Sequence, residues 1–357
     1  MNRDVVIIGA GAMGLSLALE LRRHGMSVAV LERGEPGREA SYAAAGMIAH
    51  LDPKLPPELA ALARQSAALY PAFVQQLEAE SNLRIDFRRA GAIELAYQEL
   101  DSALVDGKEV HALTPEELAA LEPEVQFHSH SYLAREDCLD PRQLAAALAA
   151  AARSLGAEIL TGTPVVEVTV EHGHTTGVRT AGEQHSAAVV VNCAGAWAPQ
   201  IAPGNIPTVP ARGHMLSVIA PNAAQSGPLL SHVVRGPDCY IVPRSDGRLV
   251  IGSTLEPAGF DKTVNPGRIQ RLRQAAEKIV PAVACMQLQE AWTGLRPGTP
   301  DGLPILGETH IRGYFACTGH YRDGILLTPV TARVMADLIR TGRTDADLSQ
   351  FSPLRFL

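Results

Sequence analysis

Two continuous apolar runs separated by a segment of mixed polarity open the chain. Residues 5–8 are all valine or isoleucine, which is typical of a strand buried on both faces. Residues 15–24 place charged side chains among apolar ones, as an amphipathic helix does. A second apolar run follows at 28–31. The pattern therefore predicts a strand, a helix and a second strand, in this order.

The next part of the chain is predicted to be mainly helical. Apolar residues recur every three or four positions over 54–80, whereas the pattern over 87–97 is that of extended chain. Thr114 and Asp140 each precede a proline and are predicted N-caps of two further helices. The second of these helices is rich in alanine and is predicted to end at Gly156.

Extended segments dominate the middle of the chain. Alternating polarity between 158 and 192, interrupted by glycines, predicts hairpins that lead to a buried strand at 188–192. Short strand-like pieces recur from 207 to 256 and predict an antiparallel sheet. The predicted helices and buried strands together indicate an α/β protein, and 357 residues are enough for two domains. The mostly antiparallel sheet would belong to a second, α+β domain.

Composition narrows the class of protein. A content of 46% hydrophobic residues indicates a globular protein. The net charge of −7 and the absence of a Lys/Arg run disfavour nucleic acid as a partner and favour a cytoplasmic protein. Five widely spaced cysteines form no CxxC pair, so neither a metal site nor a disulfide framework is predicted. Glycines interrupt the apolar stretch at 5–21 and charged residues follow it, so no membrane span is predicted.

A glycine motif between the first strand and the first helix predicts a dinucleotide site. The motif has the form G-x-G-x-x-G, and its residues are Gly9, Ala10, Gly11, Ala12, Met13 and Gly14. Gly9 permits the tight turn, Gly11 lets a pyrophosphate approach the backbone, and Gly14 lets the helix pack on the strand. The helix N-terminus favours phosphate, and Glu32 after the second strand can accept hydrogen bonds from a ribose. The motif does not distinguish NAD from FAD.

The segment EASYAAAGMIAH at 39–50 bears on that choice. Helix propensity alone favours a helix for an alanine-rich run. Its small side chains and Gly46, however, would also let backbone lie against a large flat ligand.

Five motifs in a fixed order give the chain a recognisable resemblance. They are the glycine motif with Glu32, SYAAAGM, VVVNCAGAWAP at 189–199, GLRPGTPDGLPILG at 294–307 and GHYRDGILLTP at 319–329. In this arrangement the chain resembles, over almost its whole length, the D-amino acid oxidase family of FAD flavoproteins. Within that family it is most similar to the glycine oxidases linked to thiamine biosynthesis.

The resemblance implies a discontinuous, Rossmann-like FAD-binding domain formed by 1–85, 138–206 and 290–357. The substrate-binding domain would comprise 86–137 and 207–289. Besides the glycine motif and Glu32, the implied FAD-binding residues are Arg33, Ser41, Ala44, Ala45, Gly46, Met47, Val166, Ala194, Gly195, Trp197, Arg296, His320, Tyr321, Arg322, Asp323, Gly324, Ile325 and Leu326. No cysteine lies in the 294–307 motif, where some relatives attach FAD covalently, so non-covalent FAD is expected.

The resemblance also implies the substrate-binding residues. Arg296 offers the planar fork of donors that matches an α-carboxylate, although it could instead pair with a protein acid such as Asp301. Tyr240 matches a tyrosine that holds the same carboxylate, and Arg322 matches a second arginine of the pocket. These three are the predicted catalytic residues.

Two further residues are assigned to the substrate pocket, Leu255 and His50. Leu255 stands where a related glycine oxidase has methionine, so the preference among glycine, sarcosine and small D-amino acids stays open. Neither His50 nor His320 is expected to act as a base, because direct hydride transfer from the α-carbon to flavin N5 needs none.

The reaction implied is oxidation of a small amino acid by FAD, with O2 as acceptor and an imine and H2O2 as products. A dehydrogenase with a quinone or another carrier as acceptor is the first alternative. The others are an NAD-dependent dehydrogenase and a flavin-binding module without catalysis or acting on RNA. The family further suggests a homo-oligomer, with a tetramer possible.

Overall fold

The computed structural model describes residues 3–101, 105, 108–127, 129–203, 206–221 and 228–357. The other residues fall within the two predicted domains but lie outside the described part of the chain. The helices are α1 Ala12–Arg23, α2 Ala40–Ala43, α3 Ala60–Ser81, α4 Pro115–Leu121, α5 Pro141–Ser154, α6 Pro266–Ile279 and α7 Gly324–Thr341. Short 3-10 helices occur at Pro57–Leu59, Gly195–Gln200, Pro281–Cys285, Ser349–Phe351 and Pro353–Phe356.

Twenty strands are formed by the described residues. They are β1 Arg3–Ile8, β2 Val28–Leu31, β3 Met47–Ile48, β4 Phe87–Arg88, β5 Ala92–Ala96, β6 Val110–Leu113, β7 His130–Ala134, β8 Asp137–Leu139, β9 Glu158–Leu160, β10 Val165–Glu171, β11 His174–Thr180, β12 Gln184–Asn192, β13 Val209–Ile219, β14 Val233–Arg235, β15 Tyr240–Pro243, β16 Arg248–Gly252, β17 Glu256–Pro257, β18 Gln287–Gly298, β19 Ile305–Glu308 and β20 Tyr314–Thr318.

The first sheet contains the N-terminal strand and is parallel at its centre. Strand β1 lies between β12 and β2, β2 pairs with β9, and β12 also pairs with β20, all in parallel. Helices α1, α5 and α7 cover one face, where Leu15, Leu148 and Val330 are fully buried. Strands β1 and β2 are buried on both faces of this sheet, which explains why 5–8 and 28–31 are continuous apolar runs.

The second sheet is antiparallel except for one pair. Its strand order is β17-β13-β16-β15-β14-β5-β7-β6, and β18 also pairs with β13; only β14 and β5 run in parallel. Helix α6 packs Ile269, Leu272 and Ile279 against it. One largely parallel and one largely antiparallel sheet confirm the predicted α/β class. A small third sheet joins β3, β8 and β4.

Strand β18 crosses the predicted domain boundary between 289 and 290. It pairs with β13 from Ile219↔Gln287 through Ala211↔Arg296 to Val209↔Gly298. Arg296 therefore lies on the second sheet, although the sequence motif that contains it was assigned to the nucleotide-binding part.

Local capping explains where two predicted helices begin. The Thr114 hydroxyl accepts from the Glu117 backbone N–H and the Glu117 carboxylate accepts from the Thr114 N–H, which together form a capping box. The Asp140 carboxylate accepts from the backbone N–H groups of Arg142 and Gln143. Gly156 follows the second helix with a φ of +86° and allows the chain to turn. No helix within the described residues is long and apolar enough to cross a membrane.

Candidate active site

An elongated cavity of about 560 Å³ lies between the two large sheets and has a size typical of ligand sites. It extends from the glycine motif and Val166 to Tyr240 and Arg296. Ala10 and Gly14 of the glycine motif do not line it, nor do His50 and Leu255; every other predicted site residue does.

The glycine motif forms a narrow backbone cradle at one end. Gly9 has a φ of +99°, and an added Cβ would lie 2.8 Å from the Cys193 carbonyl oxygen. Gly11 is the N-cap of α1 and has no side chain to cap it. The Ala12 N–H instead donates to the Ser41 hydroxyl at 2.9 Å. A helix N-terminus facing a cavity in this way favours an anion such as phosphate.

Gly14 packs beneath the cradle rather than lining it. A Cβ at this position would overlap the Gly9 carbonyl oxygen and would lie 3.3 Å from a methyl group of Ile7. The glycine therefore allows the close approach of α1 to β1.

Glu32 ends β2 and lines the cavity with only 8% of its surface exposed. Its two carboxylate oxygens accept from the Ala10 and Gly34 backbone N–H groups, each at 2.8 Å. These bonds fix the carboxylate, and each oxygen retains a lone pair that a ribose hydroxyl can use.

The small residues at 43–47 bring backbone against the middle of the cavity. A Cβ at Gly294 would overlap the Ala43 side chain, so this glycine allows β18 to approach the segment. The Trp292 indole N–H donates to the Ala43 carbonyl at 3.2 Å, and the buried Arg244 donates to the Ala45 carbonyl at 2.6 Å. The whole alanine-rich segment, 39–50, forms one helical turn, α2, and then the short strand β3. The alanine-rich run is therefore not an extended helix.

Next to Glu32, the cavity is lined by the cation Arg33 and the aromatic side chain of Trp197. The Arg33 guanidinium lies 3.7 Å from the centre of the Trp197 ring and forms a 2.6 Å ion pair with Glu39. Val166 lies on β10 at the same end.

The segment 319–326 closes the opposite wall and leads into α7. Its Tyr321 N–H donates to the Pro297 carbonyl at 3.1 Å, which ties it to the end of β18. The buried His320 ring has Nε2 at 3.2 Å from the Thr331 hydroxyl, and burial lowers the pKa of His320 to about 3. His320 is therefore neutral and unsuited to act as a base at neutral pH.

Two charged residues, Arg322 and Asp323, lie two and three positions after His320. Burial raises the pKa of Asp323 to about 6; the nearby Arg322 lowers this pKa and Asp52 raises it. All three residues line the cavity, and Arg322 is exposed to solvent.

Arg296 faces the cavity from β18. Its guanidinium donates to the Ser253 hydroxyl at 2.7 Å and to the Thr254 carbonyl at 3.2 Å. It lies directly over Gly213, where any Cβ would overlap it. No Asp or Glu among the described residues forms an ion pair with Arg296. The cation is thus held by neutral acceptors and remains available to an anion in the cavity.

Tyr240 lies across the same end of the cavity. It pairs with Gly252 on β16, and its hydroxyl contacts the Met215 sulfur at 3.2 Å. Because a thioether is a weak acceptor, a carboxylate would be a better partner for this hydroxyl.

Two residues assigned to the substrate pocket lie elsewhere. Leu255 is 56% exposed and does not line the cavity. His50 is partly buried, and its Nδ1 has no hydrogen-bond partner. Both stay predictions without support from their position.

Several cavity residues were not found by sequence reasoning. Met215, Ser253 and Asp52 line the cavity next to the predicted residues. Their positions depend on the pairing of β13 with β16 and β18 and on a loop after β3, which local sequence patterns do not specify.

Comparison with known proteins agrees with this geometry. The sequence model of the family described as DAO, FAD dependent oxidoreductase, matches residues 4–338. The chain is 35% identical over 373 residues to glycine oxidase of Geobacillus kaustophilus, with 99% of this chain and 97% of that protein covered. The crystal structure of glycine oxidase from Geobacillus kaustophilus gives a TM-score of 0.92 at 34% identity, with 99% of both chains covered.

A longer relative matches over part of its length. The bifunctional protein ThiO/ThiG of Trichormus variabilis is 36% identical over 368 residues, which cover all of this chain and 55% of that protein. The chain thus spans about half of the bifunctional relative and nearly all of the glycine oxidase. The resemblance predicted from the motifs is confirmed, and the chain belongs to the DAO family of FAD-dependent oxidoreductases.

Proposed function

We propose that the protein oxidises glycine and other small amines or D-amino acids with FAD as cofactor and O2 as electron acceptor. The observation that carries the proposal is Arg296, a cavity-lining cation held by Ser253 and Thr254 and without an acidic partner among the described residues. The names of the glycine oxidase relatives support the same substrate class.

The residues present fit FAD. The cradle at Gly9 and Gly11 and the N-terminus of α1 suit a pyrophosphate, and the fixed Glu32 carboxylate suits a ribose. Backbone at 43–47 and at 319–326 lines the part of the cavity between this cradle and Arg296. Bound FAD would accept the hydride from the substrate's α-carbon, and O2 would reoxidise it with release of H2O2.

The chain's own contribution is to bind and orient the substrate. Arg296 would hold the carboxylate through two parallel hydrogen bonds, with the Tyr240 hydroxyl as a further donor. A fixed carboxylate limits the positions of the α-carbon, which is the orientation that hydride transfer requires. His320, the buried histidine of the cavity wall, is neutral and takes no part in proton transfer in this scheme.

The proposal extends to location, assembly and pathway. The five cysteines are free thiols, four of them buried, which suits a cytoplasmic protein. We also infer a homo-oligomer, and the net charge of −7 argues against a nucleic-acid partner. A role in thiamine biosynthesis is suggested by the name of the bifunctional relative.

The test is a substrate panel on the purified protein. The protein should be yellow with an oxidised-flavin spectrum, and glycine should yield H2O2 and ammonia in equal amounts under air. Glycine oxidation with a quinone or dye but without H2O2 would instead indicate the dehydrogenase. No turnover of any small amino acid with either acceptor would overturn the proposal.

A further inference from the structure

A buried histidine next to Gly213 connects to the Arg296 guanidinium through a single residue. His214 lies on β13 with none of its side chain exposed. Its Nδ1 is 3.0 Å from the Thr254 hydroxyl oxygen, and its backbone N–H donates to the same oxygen at 2.9 Å. The Thr254 carbonyl in turn accepts from Arg296 Nη1 at 3.2 Å.

The surroundings of the ring fix its protonation. Nε2 lies 3.0 Å from the backbone nitrogen of Asn265, which can only donate, so Nε2 must be the unprotonated acceptor. The proton of the neutral ring is therefore on Nδ1, where it faces the Thr254 hydroxyl and a carboxylate oxygen of Glu256, also at 3.0 Å. One tautomer of His214 satisfies both sides of the ring.

We propose that His214, as the neutral Nδ1–H tautomer, is a positioning residue for Arg296, acting through Thr254 to aim the guanidinium at the substrate carboxylate. This inference rests on the proposed function, because it requires that Arg296 binds that carboxylate. His214 does not line the cavity, and it was not among the predicted site residues.

The charged groups around the ring give the inference a pH dependence. Burial lowers the pKa of His214 below its ordinary value. Of the nearby groups, Glu256 on β17 raises this pKa, Arg212 on β13 and Arg268 on α6 lower it, and a backbone hydrogen bond with Thr263 raises it. The ring is therefore neutral at pH 7. At acid pH a proton on Nε2 would face the Asn265 N–H, donor against donor, and would loosen the ring from its fixed position. The KM for glycine should rise as the pH falls below the ordinary histidine range.

Two variants separate positioning of Arg296 from a purely structural role. In His214→Asn the amide N–H2 can replace Nδ1–H toward Thr254, whereas in His214→Gln the longer side chain can replace the Nε2 acceptor toward Asn265. We expect His214→Asn to keep KM for glycine near the wild-type value. His214→Gln should raise it about tenfold, the effect of one lost hydrogen bond, with kcat changed less. Thr254→Val should match the effect of His214→Gln, and combining the two should add little.

Equilibrium binding provides a readout that does not require turnover. Acetate added to the oxidised holoenzyme should perturb the flavin spectrum, with an apparent Kd that rises about tenfold in His214→Gln and in Thr254→Val but not in His214→Asn. If His214→Asn weakens acetate binding and His214→Gln does not, His214 only anchors α6 and the inference is wrong. If all three variants bind acetate as the wild type does, it is also wrong. A wild-type holoenzyme that neither binds acetate nor oxidises glycine would overturn the proposed function, and this inference with it.

Discussion

Asp301 is held by Arg355 and not by Arg296. Its carboxylate accepts from Arg355 Nε at 2.7 Å and from Nη2 at 3.1 Å, a two-point contact with the C-terminal residues of the chain. The protein acid closest in sequence to Arg296 is therefore already paired. This pairing removes the alternative in which Arg296 serves only as the partner of Asp301.

Replacement of Asp301 tests this pairing. Asp301→Asn should lower the free energy of unfolding by about 1 kcal/mol or less, because the ion pair is partly exposed. The KM for glycine should not change. A lower KM in this variant would mean that Asp301 competes with the substrate for Arg296, contrary to the geometry described.

Gly294 is expected to control cofactor affinity through Ala43. In Gly294→Ala the new methyl would overlap the Ala43 side chain and displace the 43–47 segment that lines the cavity. Overpacking costs about 1–3 kcal/mol, so the Kd for FAD should rise by roughly 5- to 150-fold. Fluorescence titration of the apoprotein with FAD measures it. Gly182→Ala is the matched control, since a Cβ there meets no atom within 4 Å, and equal Kd values in the two variants would refute the prediction.

Asp323 should make the stability of the apoprotein depend on pH. Burial raises its pKa from 3.8 to about 6 in the folded state, so the folded protein binds more protons than the unfolded chain between these values. The wild type should therefore lose stability relative to Asp323→Asn as the pH rises from 4 to 7, by on the order of 2–3 kcal/mol. Urea unfolding of both proteins across this range provides the measurement. A difference that is independent of pH would show that the Asp323 carboxyl is not perturbed.

A buried charge cluster behind the cavity should be important for stability. Arg235 donates to Glu94 at 2.6 Å and pairs with Glu136, and all three side chains are largely buried. Arg235→Met leaves two buried carboxylates without their cation and should cost about 3–5 kcal/mol in the free energy of unfolding. Arg179→Met, which breaks an exposed pair with Glu167, is the control and should leave unfolding unchanged. Similar losses in both variants would contradict the buried role of Arg235.

Local sequence was sufficient to predict that Gly9, Gly11 and Glu32 lie close together. Gly9, Gly11 and Glu32 lie within one strand-helix-strand unit, so their spacing alone determines their relative positions. The capping residues Thr114 and Asp140 were also predictable, because a cap acts on N–H groups two or three residues away.

The surroundings of Arg296 depend on pairing between distant strands and could be predicted only in part. Arg296 meets Ser253, Thr254 and Gly213 because β18 and β13 run side by side, a relationship that no short motif encodes.

Leu255 lies in the segment between β16 and β17, outside both strands. Its neighbours Thr254 and Glu256 both contact His214, whereas the Leu255 side chain is exposed to solvent. A motif match fixed the position of Leu255 in sequence but not the face of the chain on which it lies.

The most direct test of the central claim, that Arg296 binds the substrate carboxylate, is the anaerobic bleaching of flavin absorbance by glycine and by glycinamide, which lacks the carboxylate. Wild type and Arg296→Met would be compared in a stopped-flow instrument, using the bleaching rate divided by the apparent Kd. We expect Arg296→Met to lose roughly 30- to several-thousand-fold with glycine, the cost of removing one partner of a buried ion pair, and less than about threefold with glycinamide. Equal losses with both compounds, or no loss with glycine, would contradict the claim.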